Sequence, residues 1–161
     1  MILDKIKAKA EQYFPEVQAI RHHLHTHPEL SFKEYNTSQF ISEKLTALGI
    51  PHKTGVAGTG IVALIEGNDP GRRCVALRAD MDALPIQELN DTPYRSVNDG
   101  VMHACGHDGH TAMLLAAAQH LAKHRHFDGT VYLIFQPAEE GGGGAREMIK
   151  DGLFKQFPMQ A

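Results

Sequence analysis

Apolar and polar residues follow two different periods along the chain, and the change falls near Pro51. Before it the spacing is helical. Residues 3–13 predict a short amphipathic helix. Pro15, whose fixed φ suits a first helical turn, predicts the start of a second, with Val17, Ile20 and Leu24 on one face and an end before Pro28. Asn36-Thr37-Ser38 offers N-caps for a third helix with Phe40, Ile41, Leu45 and Leu48 inward, closed by Gly49 and Pro51. Beyond Pro51 short apolar runs take over. Residues 60–66 and 74–78 predict neighbouring buried strands, separated by the turn Gly67-Asn68-Asp69-Pro70-Gly71. A helix over 106–123, apolar at Leu114, Ala117, Ala118 and Leu121, leads to a strand over 130–135 that Gly129 introduces. Strand, crossover helix, strand predicts an α/β sheet. A last helix is expected from about Ala145 to Lys150, stopped by Gly152, and no repeat, low-complexity tract or linker divides the chain.

Composition narrows the function classes. At 161 residues with 42% hydrophobic content, the chain has enough apolar material for one domain with a core. A net charge of -3 with both signs interspersed excludes the basic face that nucleic acid requires. Lys5, Lys7 and Lys9 have no apolar run behind them, so neither a signal peptide nor a membrane span is expected, and the cytoplasm is the default location. Cys74 and Cys105 are expected to be reduced.

The chemistry concentrates in His103-Ala104-Cys105-Gly106-His107-Asp108-Gly109-His110, where a loop enters a helix. Three imidazoles, a thiol and a carboxylate within eight residues are hard to bury unless something ligates them, and thiolate with imidazole suits zinc and similar ions. The positive helix end is expected to favour the Cys105 thiolate. Asp80 and Asp82 follow one predicted strand and Glu139 and Glu140 another, the edge at which open α/β sheets bind ligands. Adjacent carboxylates diverge, so one of Glu139 and Glu140 can hold metal while the other handles a proton. Taken singly, each acidic pair reads as a turn or a solvated loop, and Gly141 to Gly144 as a hinge that also permits close backbone approach. His22, His23, His25 and His27 scatter round a helix and are assigned surface or capping roles. Asp108 reads as a helix cap, and His103 and His110 as hydrogen-bonding neighbours.

The order of four segments, Arg21-His22-His23-Leu24-His25-Thr26-His27-Pro28-Glu29-Leu30, Arg78-Ala79-Asp80-Met81-Asp82-Ala83-Leu84-Pro85, His103-Ala104-Cys105-Gly106-His107-Asp108 and Gln136-Pro137-Ala138-Glu139-Glu140-Gly141, resembles the amidohydrolase branch of the aminoacylase and carboxypeptidase metallopeptidases. That branch includes hippurate hydrolase and N-acyl-amino-acid amidohydrolases. The resemblance implies a zinc-exopeptidase-like mixed α/β sheet flanked by helices. Residues 1–161 would form the N-terminal part of the catalytic domain, without the lid or dimerisation domain or the C-terminal part. It implies that Cys105, His107 and Glu140 are ligands of a centre of two divalent ions (zinc, manganese, cobalt or nickel). Glu139 would be the general base, and Asp82 would support the site. It further implies a small N-acyl amino acid as substrate, no nucleic-acid or membrane partner, and a homo-oligomer for the complete enzyme. Two other classes remain open: a non-catalytic remnant that binds one metal ion or pairs with another chain, and a redox protein using Cys105, disfavoured because no second cysteine stands near it.

Overall fold

The computed structural model describes residues 2–161, with helices α1 (Ile2–Thr26) and α2 (Tyr35–Ala47), strands β1 (His52–Val56), β2 (Gly60–Glu66) and β3 (Cys74–Asp80), helix α3 (His107–Lys123), strand β4 (Thr130–Gln136), and helices α4 (Gly144–Lys150) and α5 (Leu153–Gln156). One sheet has the order β1-β2-β4-β3. β3 and β4 are parallel, joined through α3, whereas β1-β2 and β2-β4 are antiparallel, so the sheet is mixed.

The two-residue period of the strands sorts side chains between two layers. Ile61, Ala63 and Ile65 of β2, with Val131, Leu133 and Phe135 of β4, face Ile20 and Leu24 of α1, Ile41 and Leu45 of α2, and Leu115 and Ala118 of α3. Val62, Tyr132 and Ile134 point the other way, against Met148 and Leu153 from α4 and α5. Every residue of β4 is buried, which a strand covered on both faces requires.

Four sequence expectations are corrected. Helix α1 runs unbroken through Pro15. Residues on both sides of Pro15 pack on α3: Tyr13 lies edge-on to the His120 ring, and Glu16 accepts from Gln119 at 3.0 Å. That shared support keeps the helix continuous despite one missing backbone hydrogen bond. β2 and β3 are not neighbours, because β4 inserts between them. β3 is also not buried throughout: as an edge strand it leaves Val75 and Leu77 exposed, and Gln160 and Ala161 lie along it, Ala161 O accepting from Ala76 N at 2.6 Å. β1 and α5 are elements that the apolar runs did not specify.

The fourth correction concerns the start of α2. No N-cap side chain bonds its first turn. Glu29 does this from outside the helix, accepting from Asn36 N at 3.2 Å and Thr37 N at 2.8 Å, and from both side chains at 2.7 and 2.9 Å. Glu29→Ala is therefore expected to lower unfolding free energy by about 1–2 kcal/mol, the scale of a lost cap, measured by urea denaturation.

Candidate metal centre

Strand β3, helix α3 and the turn after β4 deliver their polar ends to one place. His107 opens α3 with an acidic residue beside each ring nitrogen, bonded at Nδ1 and free at Nε2. Its Nδ1 lies 2.9 Å from Asp82 O and 3.3 Å from Asp82 Oδ1, and its Nε2 lies 3.8 Å from Glu139 Oε2 and 4.0 Å from Glu140 Oε1. Glu139 and Glu140 thus converge on one imidazole and do not diverge as the sequence predicted. The turn that carries them explains this: Ala138 has φ +52° and Gly141 φ +82°, so the backbone doubles back between them. Sγ of Cys105, a ring nitrogen of His107 and a carboxylate oxygen of Glu140 lie within 4.8 Å of one another. Asp80, His107 and His110 form a second such group, with His110 Nδ1 at 3.6 Å from Asp80 Oδ2.

Asp82 is buried and anchors the arrangement. Its Oδ2 accepts from Ser31 Oγ at 2.7 Å and from Glu140 N at 2.9 Å. Desolvation pushes its carboxyl upward, but the bonds from His107, Ser31 and the Glu140 amide outweigh burial and hold it at about 2. The bond to Asp82 raises His107 to about 9. Cys105 departs from expectation: the Glu140 carboxylate, then burial, then Glu139 and Asp80 push its thiol up rather than down. Three full negative charges outweigh the partial charge of one helix end. These same groups suit a divalent cation, which would deprotonate the thiol and satisfy Glu140 Oε1, a buried oxygen with no hydrogen-bond partner.

The sequence missed several supports. Glu34, fully buried, accepts from Ala138 N at 2.9 Å and from Thr59 Oγ1 at 2.6 Å, fixing the turn behind Glu139. His25, assigned a surface or capping role, is 4% exposed and lies between Asp108 and Glu88, because Glu88, Tyr94 and Val97 close over the end of α1. Asp108 is not the cap of α3: Gly106 holds that position, and Asp108, inside the first turn, accepts from Gly109 N at its Oδ1 while its Oδ2 faces Arg21 and His25. Among the described residues, His103 is buried with both ring nitrogens unpartnered.

Burial lowers His103 to about 4, so it stays neutral in the fold where the unfolded chain takes up a proton near 6.5. Acid therefore favours unfolding between those values. His107 has the opposite sign: its stabilisation is complete below about 6.5 and is lost as pH rises toward 9. Metal-free protein is expected to be most stable near pH 6.5 as far as these two groups decide it. His103→Gln is expected to remove about 1–3 kcal/mol of the acid-side loss, read from urea denaturation at pH 6.5 and 4.5.

The profile of peptidase family M20/M25/M40 matches residues 76–161, more than half of the chain and the part that holds this cluster. The chain belongs to this family. Among M20 relatives, hippurate hydrolase of Campylobacter jejuni is 48% identical over 142 residues, 88% of this chain and 37% of its own length. Thermostable carboxypeptidase 2 of Saccharolobus solfataricus is 48% identical over 156 residues, 94% of this chain and 39% of its own. The crystal structure of a Bacillus subtilis protein described as a dinuclear metal binding peptidase from the M20 family superposes with a TM-score of 0.85 at 42% identity. That match covers 89% of this chain and 41% of the other. The chain thus spans about two fifths of the M20 proteins it matches. The mixed sheet flanked by helices is the fold of that neighbour over the shared part. Among the described residues no helix is long and apolar enough to cross a membrane.

Proposed function

We propose that the chain supplies the base and part of the metal centre of an M20 amidohydrolase that cleaves the amide bond of N-acyl amino acids. In this reading residues 1–161 are the N-terminal part of its catalytic domain. The observation that carries the reading is the gathering of Cys105, His107 and Glu140 within 4.8 Å beside Glu139, with one Glu140 oxygen buried and unpartnered. Cys105, His107 and Glu140 would hold two divalent ions together with residues beyond this chain, zinc, manganese, cobalt and nickel being the candidates. When bound, such ions supply Lewis acidity, polarising an acyl carbonyl and making water acidic enough to attack it.

The remaining chemistry belongs to the chain. Glu139 is the more exposed of the two glutamates, with 40% of its side chain open to an incoming substrate against 21% for Glu140. It takes a proton from the attacking water and delivers it to the leaving amine nitrogen, so the acyl C–N bond breaks with a neutral amine as leaving group. Asp82 holds His107 through Nδ1 and leaves Nε2 facing the centre. Relatives named hippurate hydrolase and IAA-amino acid hydrolase support an N-acyl amino acid as the substrate class. The test is hydrolysis of a panel of N-acyl amino acids by the metal-loaded complete enzyme, in which residues 1–161 stand with the residues that finish the centre. Cleavage that a chelator abolishes and added zinc, manganese or cobalt restores is expected; no cleavage by any metal form overturns the reading.

A further inference from the structure

The proposed centre hangs on a long connection. Residues 81–106 contain no helix or strand, yet Cys105 lies at their end and His107 opens the helix that follows. A connection of that length holds a ligand in place only if it is tethered along its course. The last turns of α1 and the residues just after them supply the tethers. Val97 N donates to Thr26 O at 2.9 Å, Thr26 Oγ1 to Tyr94 O at 3.1 Å, and Asn98 Nδ2 to Pro28 O at 2.8 Å. These are partly buried or at the surface. The buried tether is His25, whose Nδ1 lies 2.7 Å from Asp108 Oδ2 and whose Nε2 lies 3.1 Å from Glu88 Oε1. Both carboxylates are as buried as the ring.

We propose that His25 is a positioning residue for the metal centre: it ties Asp108, next to His107 on α3, to Glu88, in the connection that ends at Cys105, and so fixes the two ligands relative to each other. The proposal rests on the metal-centre reading above. The two contacts leave opposite nitrogens of one rigid ring, so a single imidazole spans the gap between the carboxylates. An amide side chain carries its donors on a single nitrogen and does not span the two. Neither carboxylate is orphaned without His25. Asp108 keeps Arg21 Nε at 2.8 Å and Gly109 N at 2.9 Å, and Glu88 keeps Ser96 N at 2.7 Å. What is lost is their coupling, so the effect falls on the relative position of Cys105 and His107 more than on folding.

Cobalt(II) is the probe, because thiolate-to-cobalt charge transfer reports Cys105 directly and competition with a chelator gives affinity. In the intact chain, His25→Ala is expected to weaken cobalt binding at least about tenfold, the scale of losing an outer-shell partner, and to diminish the thiolate band while far-ultraviolet dichroism is unchanged. Added imidazole should restore both, whereas His25→Gln should restore neither. Asp108→Asn keeps the side-chain volume, is expected to show the same loss, and decides the matter alone if His25→Ala does not fold. Unaltered affinity and an unaltered band in the folded variants overturn the positioning role. A thiolate band absent from the unmutated protein overturns the metal-centre reading itself, and the positioning role with it.

Discussion

Replacing Glu139 with Gln is expected to lower hydrolysis of an N-acyl amino acid by about 10²–10⁴-fold or more, with metal content unchanged. Gln has nearly the volume of Glu and keeps a polar end, but at neutral pH it takes no proton from water. Glu139 approaches His107 at 3.8 Å without displacing Glu140, so its replacement leaves the gathered ligand atoms in place. Glu140→Gln should behave differently. Its Oε1 is the buried, unpartnered oxygen, and the loss of its charge is expected to reduce bound metal together with turnover. Turnover at saturating substrate, measured beside metal content for both variants, separates the two roles. Full activity in Glu139→Gln contradicts its role as the base.

Gly144→Ala is expected to be the most damaging single methyl group in the chain. A Cβ at Gly144 would stand 1.7 Å from Pro137 O, an overlap with backbone that no rotamer relieves. Neither side is free to retreat. Gly144 N donates to Ala138 O at 3.0 Å, and Ala138 N is held by the buried Glu34. A loss above about 4 kcal/mol, or failure to fold, is expected in urea denaturation, with loss of metal binding as the Glu139-Glu140 turn opens. Gly141→Ala is the comparison. It meets no atom within 4 Å but has φ +82°, so about 1–2 kcal/mol is expected. Equal, small losses in the two variants would contradict the close approach. Of the four glycines, Gly142 and Gly144 thus make the close approach that their composition allowed, against Ala138 and Pro137 behind the site.

Much of the fold was legible because it depends on local period. β2 stands at the residues its apolar run marked, and β3 and β4 extend theirs by two residues and one. α3 begins one residue after its Gly106 N-cap. Strand order was not legible, since the apolar runs of β2 and β3 do not record that β4 enters between them. β1 escaped because only Val56 of His52-Lys53-Thr54-Gly55-Val56 is buried. The polar residues that gather were readable as clusters, but their environment was not. The rise of the Cys105 thiol comes first from Glu140, thirty-odd positions away along the chain. His25 looked like one more surface histidine because its partners, Asp108 and Glu88, lie 83 and 63 residues away. Glu29 was not singled out as a cap because the backbone groups it bonds, Asn36 and Thr37, lie seven and eight residues further on.

In the proposed centre Cys105, His107 and Glu140 bind metal together. The most direct test is X-ray absorption at the zinc edge on zinc-loaded protein. One sulfur ligand at about 2.3 Å with nitrogen and oxygen neighbours at about 2.0–2.2 Å is predicted, the sulfur disappearing in Cys105→Ala. A shell of nitrogen and oxygen only in the unmutated protein, with Cys105 still open to alkylation, would contradict it.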